Sequence, residues 1–386
     1  MHHSVNVLFI QPFIIEHYSD QETLTQMLLV WPVYLENFLK SKFRDLNCSL
    51  LYLPDEQKLG NITIKSYKDS ELFAKQMDKL LNTLDFEITQ NTYICLSGTT
   101  SYYYLSVKMI SEYFQKHHPE GVIIFGGAHA TACPDDFIYA QSPIDYIIIG
   151  EGEQVLYEII KKNYKKQSTP KFIIGKPISE LDILPPLDLS ILDRYISFYQ
   201  SLSICLSRGC PFNCSFCMEK TMASHNKSIK RWRSYTPKRA IEESRIMIEY
   251  AQNYGIDRIG FVDPTFGSNR KWFEEYISLW NFEAQTSAVW IETRFDILND
   301  KLIEQLQKKN FYLWYGLESC SKRMLKIMNK NVNPSSYLKK YDKIIEKHKD
   351  LEYLVMNNVI FGHPGESEKS CAESYKVLKR IKEQDT

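Results

Sequence analysis

Ser207-Arg208-Gly209-Cys210-Pro211-Phe212-Asn213-Cys214-Ser215-Phe216-Cys217 gathers three thiols into one short stretch with the spacing C-x3-C-x2-C. That is one ligand fewer than a closed site uses. A structural zinc takes four protein ligands and a ferredoxin-type cluster takes four cysteines. Cys210, Cys214 and Cys217 therefore point to an iron-sulfur cluster with one iron left open, able to hold a small molecule and pass it an electron. Two other readings fit the bare spacing: a zinc site closed by a distant fourth ligand such as Cys205 or His225, or three unrelated thiols in a loop. No second C-x2-C or H-x3-H lies nearby.

The surrounding composition narrows the setting. At 386 residues the chain exceeds the usual size of one core, so two domains are expected. Its 47 basic and 47 acidic side chains cancel, which leaves no global field to attract nucleic acid or an anionic membrane. The N-terminus, Met1-His2-His3-Ser4-Val5-Asn6-Val7-Leu8-Phe9-Ile10, has neither the basic start nor the apolar run of a secretory signal and reads as a first strand. No stretch approaches the ~20 continuous apolar residues that span a bilayer. Nine cysteines, three of them clustered at metal-ligand spacing, fit a reducing cytoplasm better than a disulfide framework.

Upstream of the cysteines, short apolar runs alternate with helical patterns. Val5 to Ile10, Cys48 to Leu53, Thr92 to Ser97, Val122 to Phe125 and Tyr146 to Ile149 read as strands. Helices are expected over Thr23 to Phe43, Glu71 to Leu84, Tyr102 to Lys116 and Glu153 to Tyr164. Such alternation implies βαβ units and a parallel sheet covered on both faces, with ligands beyond the carboxyl ends of its strands. Pro170 and the pair Pro185-Pro186 break the pattern and place a connector over residues 166–198, between a domain over 1–165 and a second over 199–386. After it, strands are expected at Ser203 to Leu206, Ile259 to Val262, Ala288 to Glu292, Tyr312 to Gly316 and Leu354 to Phe361. Helices are expected over Pro237 to Tyr254, Arg270 to Trp280, Asp300 to Lys308, Lys322 to Met328, Pro334 to Lys347 and Glu368 to Glu383.

With Phe216 at the aromatic position before the last cysteine, the triplet resembles the signature of the radical S-adenosylmethionine (SAM) superfamily. Four downstream segments resemble its branch in which a cobalamin-binding domain precedes the radical core. Phe261-Val262-Asp263-Pro264-Thr265-Phe266 is similar to F-x-D-D-x-F after the second strand, with Pro264 in place of the second aspartate. Glu292-Thr293-Arg294-Phe295-Asp296, Gly316-Leu317-Glu318-Ser319 and Gly362-His363-Pro364-Gly365-Glu366 are similar to the segments after strands three, four and five. The resemblance implies a partial (β/α)6 barrel holding a 4Fe-4S cluster on the three cysteines. It places SAM among Phe216, Asp263, Arg294, Glu318 and Gly362, at the mouth where active sites of βα barrels collect.

In the first domain, Ser97-Gly98-Thr99 and Gly126-Gly127 resemble the S-x-[LT] and G-G elements of cobalamin domains, so Ser97, Thr99, Gly126 and Gly127 are expected to line that cofactor. The histidine element D-x-H-x-x-G is missing; Asp55-Glu56-Gln57-Lys58-Leu59-Gly60 mimics it with glutamine, but after the wrong strand. His129 lies near the right edge within the G-G-x-H-A turn and reads as structural. No G-x-G-x-x-G follows Ile10, which argues against a dinucleotide site.

The fold class expected is thus α/β: a Rossmann-like, cobalamin-binding-type parallel sheet followed by a radical SAM barrel lacking its last strand, because Thr386 comes one helix after the fifth strand. The resemblance implies a cytoplasmic enzyme that cleaves SAM reductively. It would methylate an unactivated carbon of a small molecule or peptide with cobalamin, drawing electrons from a donor such as flavodoxin or ferredoxin. Cyclisation or ring contraction with a vestigial cobalamin domain, and a truncated cluster and SAM binder without turnover, are the alternatives. The basic run Lys227 to Arg233 reads as a solvated face or a loop near SAM, not as a nucleic-acid contact.

Overall fold

The computed structural model describes residues 5–15, 27–28, 30–139, 141–224, 231–282, 288–348 and 355–384. The chain divides into two compact units. The first runs through Ile178 and includes Ile183–Gln200; the second takes Ser179–Asp182 and the chain from Ser201 onward. No described helix is long and apolar enough to cross a membrane.

The first unit is built on six parallel strands: β1 (Val5–Gln11), β2 (Leu46–Tyr52), β3 (Thr92–Ser97), β4 (Val122–Gly126), β5 (Tyr146–Ile149) and β6 (Lys171–Ile174). Their order is β2-β1-β3-β4-β5-β6. Val7 through Ile10 and Ile123 through Phe125 are buried without alternation, as strands covered on both faces must be. The order turns back between β1 and β3, and such a switch point leaves a crevice at the carboxyl ends. Gln11, Ser97 and Gly126 end the three central strands there.

Two sequence expectations shift. The first helix, α1, covers Trp31–Lys40 rather than Thr23 to Phe43: Pro32 is suited to a first helical turn, where no amide donor is needed, and it sets the start. Residues 23–26 and 29 of the expected helix lie outside the described residues, and Met27–Leu28 form a short strand. Residues 166–198 are also no bare connector, since β6 pairs with β5 within them. Its exposed Phe172 and Ile174 show why this edge strand carries no buried alternation to read. Farther on, Tyr195 and Tyr199 donate to Glu56 (3.0 Å) and Asp55 (2.9 Å) in α2 (Leu53–Lys58), which ties the segment to this unit.

The second unit holds five parallel strands in strict sequence order: β7 (Ser201–Ile204), β8 (Arg258–Phe261), β9 (Ala288–Thr293), β10 (Phe311–Glu318) and β11 (Val355–Val359). When each strand lies beside its predecessor, right-handed crossovers put every helix on one face. The two faces of the sheet differ accordingly. Val289, Ile291, Leu313 and Tyr315 are buried, whereas Trp290, Glu292, Trp314 and Gly316 alternate with them and are only part-buried.

Local chemistry fixes where the helices begin. In α3 (Pro237–Asn253), Thr236 caps the Arg239 amide and Pro237 occupies the first turn; in α4 (Arg270–Leu279), Asn269 caps the Trp272 amide. Trp272 and Tyr276 of α4 stack at 5.1 Å beneath Phe261 and Phe266. Each fully buried ring contributes roughly 2–3 kcal/mol, so this cluster anchors the loop after β8.

Candidate functional site

The cysteine loop is pinned at its start by a two-residue ribbon, in which Ser207 and Arg208 pair with Ser234 and Arg233. Between ribbon and first cysteine, Gly209 adopts φ +79°, and a Cβ there would lie 1.9 Å from the Arg231 carbonyl oxygen. Only glycine fits. Gly209→Ala is expected to cost more than about 2 kcal/mol and to lower the iron retained after reconstitution, measured by thermal melting and iron analysis.

The loop's far side rests on the segment after β10. Ser215 donates its amide to the Met328 carbonyl at 2.8 Å, and Asn329 donates its side-chain amide to the Asn213 carbonyl at 2.8 Å. Cys210 Sγ lies 3.2 Å from Thr265 Oγ1. All three sulfurs are free thiols; Cys210 and Cys214 are buried and Cys217 is half-buried. They do not gather within 4.8 Å of one another: among the described residues the only such trio is His129, Cys133 and Asp136. Cys205 does not supply a fourth ligand, because its thiol is directed to the Val262 carbonyl. His225 lies outside the described residues.

Beside the loop stands a charged pair of pairs. Arg294, at the end of β9, gives its guanidinium fork to Asp296 at 2.9 and 2.7 Å and a third bond to the Lys330 carbonyl at 2.9 Å. The guanidinium carbon sits 3.9 Å from the centre of the Phe212 ring, and Nη1 is 4.0 Å from Cys214 Sγ. Glu318, at the end of β10, accepts from Lys330 Nζ at 3.0 Å; both are buried. Burial pushes the Cys214 thiol up, and the cations of Lys330 and Arg294 pull it the other way, toward the thiolate a metal needs.

The end of β10 is strained to make this arrangement. Glu318 adopts φ +65° where the register with β11 shifts, a left-handed conformation costing a non-glycine residue roughly 1–3 kcal/mol. Gly316 leaves the necessary space, since a Cβ there would come within 2.5 Å of the Glu318 carboxylate and 2.8 Å of Lys330 Nζ.

Asp263 is not at the surface of the site. It is fully buried and accepts from the Ser207 hydroxyl and the Leu206 amide, clamping β7 to the loop after β8. Burial pushes its carboxyl up to about 7 against the pull of Ser207. The native state therefore holds a proton that the unfolded chain has lost, over the interval from about pH 4 to 7. Stability should fall as pH rises through that interval and level off above it, and Asp263→Asn should flatten the slope, as followed by melting temperature against pH.

The sequence singled out Arg294, Asp263 and Glu318, and the structure gives each a protein partner. Arg294 and Glu318 stand with Cys214, and Asp263 supports the stretch leading into the loop. Phe216 is exposed, its ring edge-on to His363 at 6.4 Å. Gly362 has φ +80°, and its amide donates to Glu366. Sequence reasoning missed Lys330, Phe212 and Thr265. Asn329, left-handed at φ +50° just after a helix, marks a turn by its type, but nothing local marks Lys330 as the partner of Glu318.

In the first unit the expected residues lie together at the carboxyl ends of β3 and β4. Gly127 has φ +92°, and a Cβ on it would meet Ser97 Oγ at 2.7 Å and the Gly98 carbonyl at 2.9 Å. Gly126 closes β4 and its carbonyl accepts from the Gly98 amide; Thr99 is exposed. Glycine at 127 thus lets the two turns pack closely, with the Ser97 hydroxyl and the Gly98 backbone filling the space a Cβ would take. His129 is turned away from any such role: it is buried, with Nε2 2.8 Å from Asp136 and its ring packed by Phe125, Phe137 and Tyr104. The mimic at Asp55–Gly60 lies largely within α2, where Asp55 serves Tyr199.

Residues 204–378 match the family described as the Radical SAM superfamily, so the second unit is a radical SAM domain. Over the whole chain, the structure of the radical S-adenosylmethionine methyltransferase TsrM from Kitasatospora setae, solved with cobalamin and a [4Fe-4S] cluster, shares the fold. The TM-score is 0.65 at 13% identity, covering 98% of this chain and 74% of TsrM. An uncharacterized methyltransferase of Pyrococcus horikoshii is 25% identical over 331 residues, 81% of this chain and 68% of the relative. The anaerobic magnesium-protoporphyrin IX monomethyl ester cyclase of Rubrivivax gelatinosus is 24% identical over 411 residues, 97% of this chain and 66% of the cyclase. The chain thus spans about two thirds of the length of these two relatives.

Proposed function

We propose that the chain is a radical SAM enzyme, with a 4Fe-4S cluster on Cys210, Cys214 and Cys217, SAM bound at it, and cobalamin at the switch point of the first unit. The observation that carries this reading is the loop itself: three free thiols at this spacing, with Cys214 set beside the buried cations of Arg294 and Lys330. When bound, these groups supply reductive cleavage of the sulfonium to methionine and a 5'-deoxyadenosyl radical, and a cobalt-carried methyl group.

The chain's own residues do the positioning. Arg294 holds the Lys330 carbonyl and so sets the ammonium that faces Glu318. The buried pair leaves the second Glu318 oxygen to accept from an amino or hydroxyl group of SAM. In the first unit, Gly126, Gly127, Ser97 and Thr99 form the edge on which the nucleotide tail of cobalamin would lie. The reaction we favour is methyl transfer to an unactivated carbon of a small molecule or peptide, in line with the methyltransferases it resembles. A second reading, cyclisation, is favoured by the cyclase that aligns with 97% of the chain.

Anaerobic reconstitution with iron, sulfide, SAM and hydroxocobalamin, followed by reduction with dithionite, separates the readings. Formation of both 5'-deoxyadenosine and S-adenosylhomocysteine, with cobalamin retained, is expected for the methyltransferase. Deoxyadenosine alone would leave the radical chemistry and remove methyl transfer; no deoxyadenosine would remove both.

A further inference from the structure

The face of the second sheet opposite its helices brings two indoles and a carboxylate together. Strand alternation puts Trp290 and Glu292 of β9 on this face. The strand register sets Glu292 directly beside Trp314 of β10, and Trp314 beside Met356 of β11. Val289, Ile291, Leu313 and Tyr315 point the other way and are buried.

Both indoles are held in place. A Cβ on Gly260 of β8 would come within 2.2 Å of the Trp290 ring, so glycine there lets the indole lie against the β8 backbone. Trp314 donates from Nε1 to Asn358 Oδ1 at 2.7 Å, and the two ring centres stand 5.5 Å apart. Trp290, Glu292 and Trp314 are each half-buried, which leaves part of every one open to a ligand.

Glu292 is the unmatched group on this face. Its carboxylate has no hydrogen bond or ion pair among the described residues, and burial alone pushes its carboxyl up. The charged groups at the neighbouring strand ends are matched already: Arg294 with Asp296, Lys330 with Glu318, and Asp263 with Ser207. Arg208 and Glu219, which like Glu292 act on the Cys205 thiol, have interactions of their own. An uncharged residue at 292 would cost the fold less, so stability gives no reason for a carboxylate there.

We propose that Glu292, Trp290 and Trp314 form a recognition site for a protonated amine, and that the substrate of this chain carries one. Aromatic faces attract a cation, and a carboxylate adds a charge-assisted hydrogen bond to it. A neutral ring would gain from the indoles but not from Glu292, and an anion would be repelled. Calling the bearer of the amine the substrate rests on the functional reading above. Strand β9 leads on to Arg294, whose Nη1 is 4.0 Å from Cys214 Sγ, so a ligand on this face would lie next to the cysteine loop. SAM also carries an ammonium, and the test separates the two.

The test uses the full chain with its cluster reconstituted and three matched probes: phenethylamine, 2-phenylethanol and 3-phenylpropionate. Equilibrium dialysis measures the binding of each, and of SAM separately. Phenethylamine should bind roughly tenfold more tightly than 2-phenylethanol, and 3-phenylpropionate more weakly than either. Glu292→Gln should abolish the preference for the amine and leave the binding of 2-phenylethanol and SAM unchanged. It should also melt no lower than the native chain, because it removes an unmatched charge. Trp314→Leu should weaken phenethylamine and 2-phenylethanol together. A preference for the amine that is absent in the native chain, or that survives Glu292→Gln, would overturn the site. SAM binding weakened in Glu292→Gln would overturn the substrate assignment and give the carboxylate to SAM's own ammonium. Failure of the native chain to form deoxyadenosine with dithionite would instead overturn the functional reading, while dialysis of the three probes still decides the amine site.

Discussion

Cys214→Ala, after anaerobic reconstitution, is expected to retain almost no iron or sulfide and to form no deoxyadenosine above background, and Cys210→Ala and Cys217→Ala are expected to do the same. The loop offers three thiols for a group that needs each of them, so loss of one leaves a second metal without a protein donor. Removing merely an outer-shell partner of a metal ligand costs roughly 10–100-fold in affinity, and a direct ligand should cost more. Cys214 has a further reason to be sensitive, because its thiolate would offset two buried cations, Lys330 and Arg294. Cys205→Ala and Cys133→Ala are the controls. Cys205 is directed to the Val262 carbonyl, and Cys133 lies in the first unit beside His129 and Asp136, so both variants should keep full iron content. Iron and sulfide analysis with electron paramagnetic resonance after dithionite reads the result. A loop variant that keeps its iron would remove the cluster assignment.

The cysteine loop was legible because its information is local: ligand type and spacing in one short stretch. The strands were legible for a similar reason. Val5–Gln11 and Thr92–Ser97 are buried along their length, and Ala288–Thr293 alternates. What the sequence hid depends on neighbours distant along the chain. Lys330 becomes meaningful only once Glu318 takes a left-handed turn toward it. Asp263 reads as a ligand-facing acid, but the fold turns it inward to Ser207. Strand β6 escaped because an edge strand with Phe172 and Ile174 exposed has no buried face to impose a period. The start of α1 was recoverable, since Pro32 is a poor interior residue and a good first-turn one.

Arg294→Met is expected to destabilise the second unit by roughly 3 kcal/mol, because it removes the buried guanidinium and leaves the part-buried Asp296 carboxylate, among the described residues, with the Asn331 amide and the more distant Lys340 ammonium. Arg294→Lys should not restore the native value. An ammonium keeps the charge but cannot give two parallel bonds to Asp296, a third to the Lys330 carbonyl, and a flat face to Phe212. A loss of about 1–3 kcal/mol is expected for the lysine variant. Five of the six tryptophans lie in the second unit, so fluorescence during urea unfolding reports chiefly on it. A double-mutant cycle with Asp296→Asn should return a coupling of about 1–3 kcal/mol. The site should register the same loss: with the Lys330 carbonyl released, the ammonium facing Glu318 loses its support, and the lysine variant should bind SAM more weakly at unchanged iron content. If Arg294→Lys unfolds with the native midpoint and binds SAM as before, the guanidinium neither braces the loop nor positions Lys330.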